Sequence, residues 1–314
     1  MKKTLAIIVS AILILALISA CGNSAPQAPA TPAAPDAPNA PEDAETPETP
    51  ETPDAPVSNF DANRLINVVS REDGSGTRGA FIEIFGVLQD GEDRTTQEAH
   101  IADGTNLVLT TVEGDAYAIG YVSMGALTSD VKALAVDGVQ PTVANVNNGT
   151  YTVMRPFNIA YKQLNEAAQD FYDFIFSDEG QAVVESRGYI TVDATGPFVS
   201  TMASGTVTVS GSTSVFPVME RLIEAYEAIN TNARIDLQGG GSSAGMRDAV
   251  GGISDIGMAS RDLSDDEIAE LSHRAICIDG IAVIANLENP LDNISSDDVT
   301  LIFIGELTQW SDIQ

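Results

Sequence analysis

Two cysteines, two histidines and one tryptophan in 314 residues leave little material for several kinds of chemistry. With Cys21 and Cys277 as the only thiols, no disulfide framework can form, and two histidines with so few thiols cannot assemble a zinc-type cluster. Basic residues are scarce as well: 15 Lys and Arg stand against 45 Asp and Glu, a formal charge of −30. Such acidity speaks against nucleic acid and anionic lipid as partners. It does not speak against a small anionic ligand, because surface charge is screened over about 8 Å at physiological salt while a buried site answers to its own donors. The Gly-x-x-x-x-Gly-Lys-Ser/Thr phosphate loop is also missing.

The N-terminus supplies a different kind of information. Lys2 and Lys3 precede a nearly unbroken apolar run over residues 5–18, followed by Ser19-Ala20-Cys21. That order of charge, apolar stretch and small-residue cleavage site marks residues 1–20 as an export signal, too short for an ordinary membrane span. Cys21 resembles the lipobox cysteine of bacterial lipoproteins, which implies that it becomes a lipidated N-terminus on the extracytoplasmic face of the cell membrane; several acyl chains would hold the protein there. Residues 21–58 are nearly all Ala, Pro, Glu, Asp, Thr and Asn, with too few large apolar groups to offset ordering entropy, and read as a disordered, Pro-stiffened tether. Only seven acidic residues lie in that tether, so the folded part is itself strongly acidic.

The remaining stretch, roughly 255 residues, is long enough for two α/β lobes or one large domain. Strand-like runs at 65–70, 118–122, 131–136, 206–209, 234–237 and 279–285 alternate with helical spacing at 77–87, 166–187, 215–229 and 244–250, which gives an α/β protein. Gly188 is the expected stop of the 166–187 helix, and residues 194–205 read as a connecting loop. Cys277 falls in an apolar stretch and is expected to be an inert core thiol.

Three segments share one design, a strand leading through a small-residue turn into a helix: Ser210-Gly211-Ser212-Thr213-Ser214-Val215, Gly239-Gly240-Gly241-Ser242-Ser243-Ala244, and Arg71-Glu72-Asp73-Gly74-Ser75-Gly76-Thr77. Such turns present free backbone N–H groups and hydroxyls at a helix N-terminus, where an anion is stabilised. Arg71 adds a charge-assisted grip on an oxyanion. Asp73 beside an anion is unfavourable unless it accepts a hydrogen bond from it. Hydrogen phosphate has one to give and sulfate does not, so Asp73 is expected to select phosphate.

At these residues the chain resembles the phosphate-binding proteins of the phosphate ABC importer. The resemblance rests on Arg71-Glu72-Asp73-Gly74-Ser75-Gly76-Thr77-Arg78, Gly211-Ser212-Thr213-Ser214-Val215, Gly241-Ser242-Ser243-Ala244-Gly245 and Asp255-Ile256-Gly257-Met258-Ala259-Ser260-Arg261. It extends to Ala118-Ile119-Gly120-Tyr121-Val122, Glu179-Gly180-Gln181 and Phe303-Ile304-Gly305-Glu306-Leu307-Thr308-Gln309-Trp310, so it spans about residues 65–313. It implies a two-lobe periplasmic-binding-protein-like fold with phosphate in the cleft and hinge closure around it. Arg71, Asp73, Ser75, Gly76 and Thr77 would bind from one lobe; Thr213, Ser214, Val215, Ser242 and Ser260 would bind from the other, with the exact donors of the 213–215 turn left open. Some relatives carry an aspartate where this chain has Ser260, leaving Asp73 as the proton acceptor here.

Within the family the Gly-Ser-Thr-Ser-Val turn comes first, whereas here it follows the Arg-Glu-Asp-Gly-Ser-Gly-Thr turn, so the chain is read as a circular permutant; a fragment of a tandem fusion is the alternative. The permutation predicts one lobe from 59–155 plus 273–314 and another from 156–272, and it places the neighbourhoods of residues 63 and 314 side by side. The expected protein is a monomeric, lipid-anchored solute-binding subunit without cofactor, metal or catalytic activity, whose partners are inorganic phosphate and the membrane-spanning subunits of an ABC importer. A receptor for another oxyanion, or a surface phosphate sensor or adhesin uncoupled from transport, remains the alternative reading.

Overall fold

The computed structural model describes residues 60–313. Cys21, the export signal and the tether expected over 21–58 lie outside the described residues. Among the described residues no helix is long and apolar enough to cross a membrane, and no group of three His, Cys, Asp or Glu side chains could hold a metal ion.

The architecture is mixed α/β and two-lobed, organised on one curled sheet. Its strands follow the order Ala233–Gly239, Gly205–Gly211, Ile256–Ala259, Met154–Tyr161, Ser272–Asn286, Ala118–Ser123, Asn67–Arg71 and His100–Ala102. The outer pairs are parallel and the central ones antiparallel. The strand Ser272–Asn286 links the lobes: residues 272–280 pair with Met154–Tyr161, and residues 281–285 pair with Ala118–Ser123. One apolar core draws its fully buried members from residues 157–277; a second draws on 66–153 and 281–310. Phe81, stacked on Tyr121 with ring centroids 3.8 Å apart and tilted against Phe303, centres the second core. All six residues of Ala118–Ser123 are buried, as expected for a strand covered on both faces. Cys277 is free and buried, and burial pushes its thiol well above the usual value, which suits the inert role expected of it.

The two extremes of the described chain run side by side. Ser311 N–H donates to the Ala62 carbonyl at 2.7 Å, Ile66 N–H to Thr308 O at 2.8 Å, and Phe60 packs its ring on Trp310 and Tyr117. This is the juxtaposition expected of residues near 63 and 314, although Gln314 itself lies outside the described residues.

Two readings of the sequence need correction. The single helix expected over 166–187 is two, Glu166–Ile175 and Asp178–Ser186. Ser177 breaks it: its hydroxyl donates to Phe174 O at 2.7 Å and accepts from Gly180 N at 3.1 Å, which caps a new helix whose first turn carries Asp178 and Glu179. The strand Met154–Tyr161 is not among the strand-like runs read from the sequence, and it carries Pro156, a residue unusual in a central strand. It is tolerated opposite Ile278, close to a register irregularity between Ala275 and Cys277 in the partner strand.

The connecting segment over 194–205 is tied to its lobe by Asp170. This carboxylate accepts from Ser200 Oγ, Thr201 N, Thr201 Oγ1, Tyr226 Oη and Asn230 Nδ2, at 2.7 to 3.2 Å. Burial alone would raise its pKa, but these donors together hold it below the ordinary aspartate range. With a folded-state pKa below the unfolded one, its stabilisation is complete above about pH 5 and is lost as pH falls through the folded value. Asp170→Ala strands several buried donors and is expected to lower unfolding stability by about 3 kcal/mol at pH 7. Urea denaturation at pH 7 and pH 3 measures this; the deficit should shrink at the lower pH.

Candidate functional site

The three helix starts singled out in the sequence converge, and a fourth joins them. The helix Gly76–Ile84 is capped by Ser75, whose Oγ accepts from Arg78 N at 3.3 Å. The helices Phe216–Ile229 and Ser242–Gly251 begin without a side-chain cap, at Val215 and at Gly241 with φ +85°. The fourth, Thr105–Glu113, begins after Gly104 with φ +90° and likewise lacks a side-chain cap. Uncapped starts leave backbone N–H groups for a ligand. Asp103-Gly104-Thr105, a turn residue and a left-handed glycine before a helical run, was the available signal for the fourth.

Between these helix starts lies a cluster of hydroxyls contributed from both ends of the sheet. Thr77 Oγ1 is 2.7 Å from Ser214 Oγ and 3.4 Å from Ser260 Oγ. Ser260 Oγ accepts from Ser212 Oγ at 2.9 Å, and Ser260 N donates to Ser242 Oγ at 3.1 Å. Thr105 Oγ1 is 3.3 Å from both Thr213 Oγ1 and Ser214 Oγ. Ser243 N adds a backbone link to Gly74 O at 3.1 Å. Gly76 is what permits this approach: a Cβ there would lie 2.8 Å from Ser260 Oγ and closer still to Ser242 Oγ.

Arg71 supplies the charge. It is 1 % exposed, and its guanidinium binds Glu72 in the bidentate manner, Nε to Oε2 and Nη2 to Oε1, both at 2.7 Å. Nη2 also reaches Thr213 Oγ1 at 3.0 Å and Nη1 reaches Thr105 Oγ1 at 3.3 Å, so one side chain joins two helix starts far apart in the chain. Glu72 Oε2 further accepts from Gly104 N at 3.1 Å. Burial would raise the Glu72 pKa; the hydrogen bonds and charge of Arg71, with the Gly104 N–H, outweigh burial and hold the carboxyl below its ordinary value.

Of the residues expected at the site, Arg71, Gly76, Thr77, Thr213, Ser214, Ser242 and Ser260 come together. Ser75 is buried beside them but spends its hydroxyl on the helix cap. Val215 sends its side chain into the apolar core, so only its backbone is available. Asp73 is a correction: its side chain is 99 % exposed and pairs with Arg78 Nη1 at 2.8 Å. The turn continues into Gly74 at φ +83°, and it is Glu72, not Asp73, that folds against Arg71. Asp73 therefore does not pair with Arg71, and the carboxylate that does is Glu72. Thr105, Ser212 and Glu72 were not singled out as ligands from the sequence.

The arrangement is suited to holding a small oxyanion by many hydroxyl and N–H donors around one compensated guanidinium. His100 and His273 are both exposed.

Comparisons with known proteins agree with this geometry. A family model described as a PBP superfamily domain matches residues 53–179 and 197–314. Phosphate-binding protein PstS 2 of Streptococcus agalactiae serotype V is 44% identical over 264 residues, which covers 82% of this chain and 90% of that protein. The PstS 2 protein of Streptococcus pneumoniae serotype 4 is 44% identical over 263 residues. Phosphate-binding protein PstS of Bacillus subtilis is 34% identical over only 130 residues, 40% of this chain and 42% of that one. Among solved structures, a phosphate ABC transporter phosphate-binding protein from Streptococcus pneumoniae TIGR4 superposes with a TM-score of 0.65 at 44% identity, covering 80% of this chain and 100% of that one.

Proposed function

Because this chain belongs to the phosphate-binding proteins of the PBP superfamily, we propose that it captures inorganic phosphate between its two lobes and delivers it to the membrane-spanning subunits of an ABC importer. The observation that carries this reading is the meeting of Arg71 and Thr77 from one lobe with Thr213, Ser214, Ser242 and Ser260 from the other. A ligand held by groups on both sides favours the closed form by its differential contacts, the general logic of hinge closure.

Residues 59–155 with 273–314 form one lobe and 156–272 the other in this reading, supported by the way the two apolar cores divide. The protein acts outside the cytoplasmic membrane, held by lipid on Cys21 at the end of the tether; metabolic labelling with a radioactive fatty acid, lost in Cys21→Ser, tests the anchor. It functions as a monomeric binding subunit and not as an enzyme, supported by its relatives, which are named as phosphate-binding proteins.

The halves of the chain are in reversed order relative to family members of the Bacillus subtilis type. Supporting this, the match to that relative covers about two fifths of each chain, while the streptococcal match runs through 90% of its length and so shares the order seen here. The contact of Ala62 with Ser311 supplies a junction. A chain opened within 194–205 and joined across that junction is expected to fold and to bind phosphate within about fivefold of the parent, as tolerated rearrangements do. A rearranged chain that folds but binds no phosphate would contradict it.

Calorimetric titration of the purified protein with phosphate, sulfate and molybdate tests the ligand. Phosphate should bind at least about a hundredfold more tightly than the others, because Glu72 offers an acceptor to a protonated oxyanion and repels a fully ionised one. Equal binding of sulfate would favour a general oxyanion receptor.

A further inference from the structure

A second buried arginine stands behind the hydroxyl cluster, and the motifs in the sequence did not point to it. Arg155, 4 % exposed, lies on Met154–Tyr161 directly opposite Asp279 on Ser272–Asn286, the strand shared by both lobes. Its Nη2 is 3.2 Å from Asp279 Oδ2 and donates to Thr77 Oγ1 at 3.1 Å. Its Nε and Nη1 have no hydrogen-bond partner, and its guanidinium carbon lies 5.2 Å from the centre of the Phe157 ring. Asp279, 2 % exposed, accepts from Gly125 N at 3.4 Å on its other oxygen. Burial lifts the Asp279 carboxyl to about 6, with the Arg155 charge pulling it back.

A buried guanidinium with two unsatisfied nitrogens is an expensive group to place in a fold, and hydrophobic replacements of such pairs are often neutral or stabilising. What the pair does beyond the fold is touch Thr77. A threonine hydroxyl has one proton and two lone pairs. When Arg155 occupies a lone pair of Thr77 Oγ1, the remaining proton is directed away from it, toward Ser214 and the space between the lobes.

We propose that Arg155, braced by Asp279, is a positioning residue of the anion site: it fixes Thr77 as a hydroxyl donor to the bound oxyanion and places a second guanidinium behind the first turn. The site then holds two arginines, each balanced by its own carboxylate, Arg71 by Glu72 and Arg155 by Asp279. The proposal rests on the reading of this site as a phosphate site.

The test is a double-mutant cycle of phosphate affinity, by calorimetry, on the wild type, Arg155→Met, Thr77→Val and the double variant, each checked by thermal melting without phosphate. Each single substitution should weaken phosphate binding by about tenfold or more, as loss of a charge-assisted or buried hydrogen bond does. The double variant should bind within about threefold of the weaker single one, since both remove the same arrangement. The control pair, Arg155→Met with Ser242→Ala, should show losses that multiply. Losses that multiply for Arg155 and Thr77, or an Arg155→Met affinity within about threefold of wild type, would overturn the proposal. Should Arg155→Met fail to melt cooperatively, Arg155→Lys takes its place in the same cycle, with the same coupling expected and the same multiplication decisive against it. A wild-type protein that binds no phosphate would instead remove the functional reading on which the cycle depends.

Discussion

Replacing Arg71 with methionine is expected to weaken phosphate binding by a hundredfold or more. The guanidinium makes two bonds to Glu72 and one each to Thr105 and Thr213, so it organises the carboxylate and hydroxyls of both lobes at once. Hydrogen bonds involving a charged group contribute about 1.5–3 kcal/mol each, and about 1.4 kcal/mol is a factor of ten in affinity. Loss of two such bonds already exceeds a hundredfold. Methionine also leaves Glu72 without its guanidinium, and a bare carboxylate beside an anion adds repulsion. Asp73→Asn, two residues away, is the internal control: its exposed side chain contacts Arg78 and not the hydroxyls, so phosphate affinity should stay within about threefold, the small effect typical of surface ion pairs. A large loss on Asp73→Asn with little loss on Arg71→Met would reverse this assignment of roles. Both are read by calorimetric titration.

Gly76→Ala is expected to separate folding from binding. In the helix Gly76–Ile84 an alanine is favoured over glycine by roughly 0.5–1 kcal/mol, so the ligand-free protein should melt no lower than wild type. Closed, however, the new methyl would sit 2.8 Å from Ser260 Oγ and nearer to Ser242 Oγ, both on the opposite lobe and both fully buried. Crowding of that kind costs about 1–3 kcal/mol, and it falls entirely on the closed form. Phosphate affinity should therefore drop by ten- to a hundredfold while thermal stability without phosphate is kept, and small-angle scattering with saturating sulfate-free phosphate should show less compaction than wild type. Unchanged affinity would mean that the lobes do not meet at Gly76 when the ligand is bound.

The sequence disclosed those parts of the site whose chemistry is local. A Gly- and Ser-rich turn between a strand and a helix is legible within seven residues, and all three such turns meet in the structure. Asp73 shows the limit of that reasoning: which of two adjacent carboxylates faces inward depends on the turn into Gly74 and on Arg78, not on residue type. Arg155 and Asp279 were out of reach for another reason. Their pairing is set by the register of two strands far apart in the chain. The break at Ser177 comes from one hydroxyl inside a long stretch of apolar spacing, and that spacing does not reveal it. The α/β class needed only the alternation of elements, a feature of long segments in which single misreadings average out, whereas the two-lobe fold came from the family resemblance of the motifs.

The central claim is that phosphate sits among Arg71, Thr77, Thr213, Ser214, Ser242 and Ser260. A crystal structure of the protein grown in phosphate is the most direct measurement of it. The account predicts a single phosphate there, with Thr77 and Ser214 turned from their mutual contact at 2.7 Å toward its oxygens and the Arg71–Glu72 pair retained. Phosphate bound elsewhere, with the hydroxyls of the two lobes still bonded to one another, would contradict it.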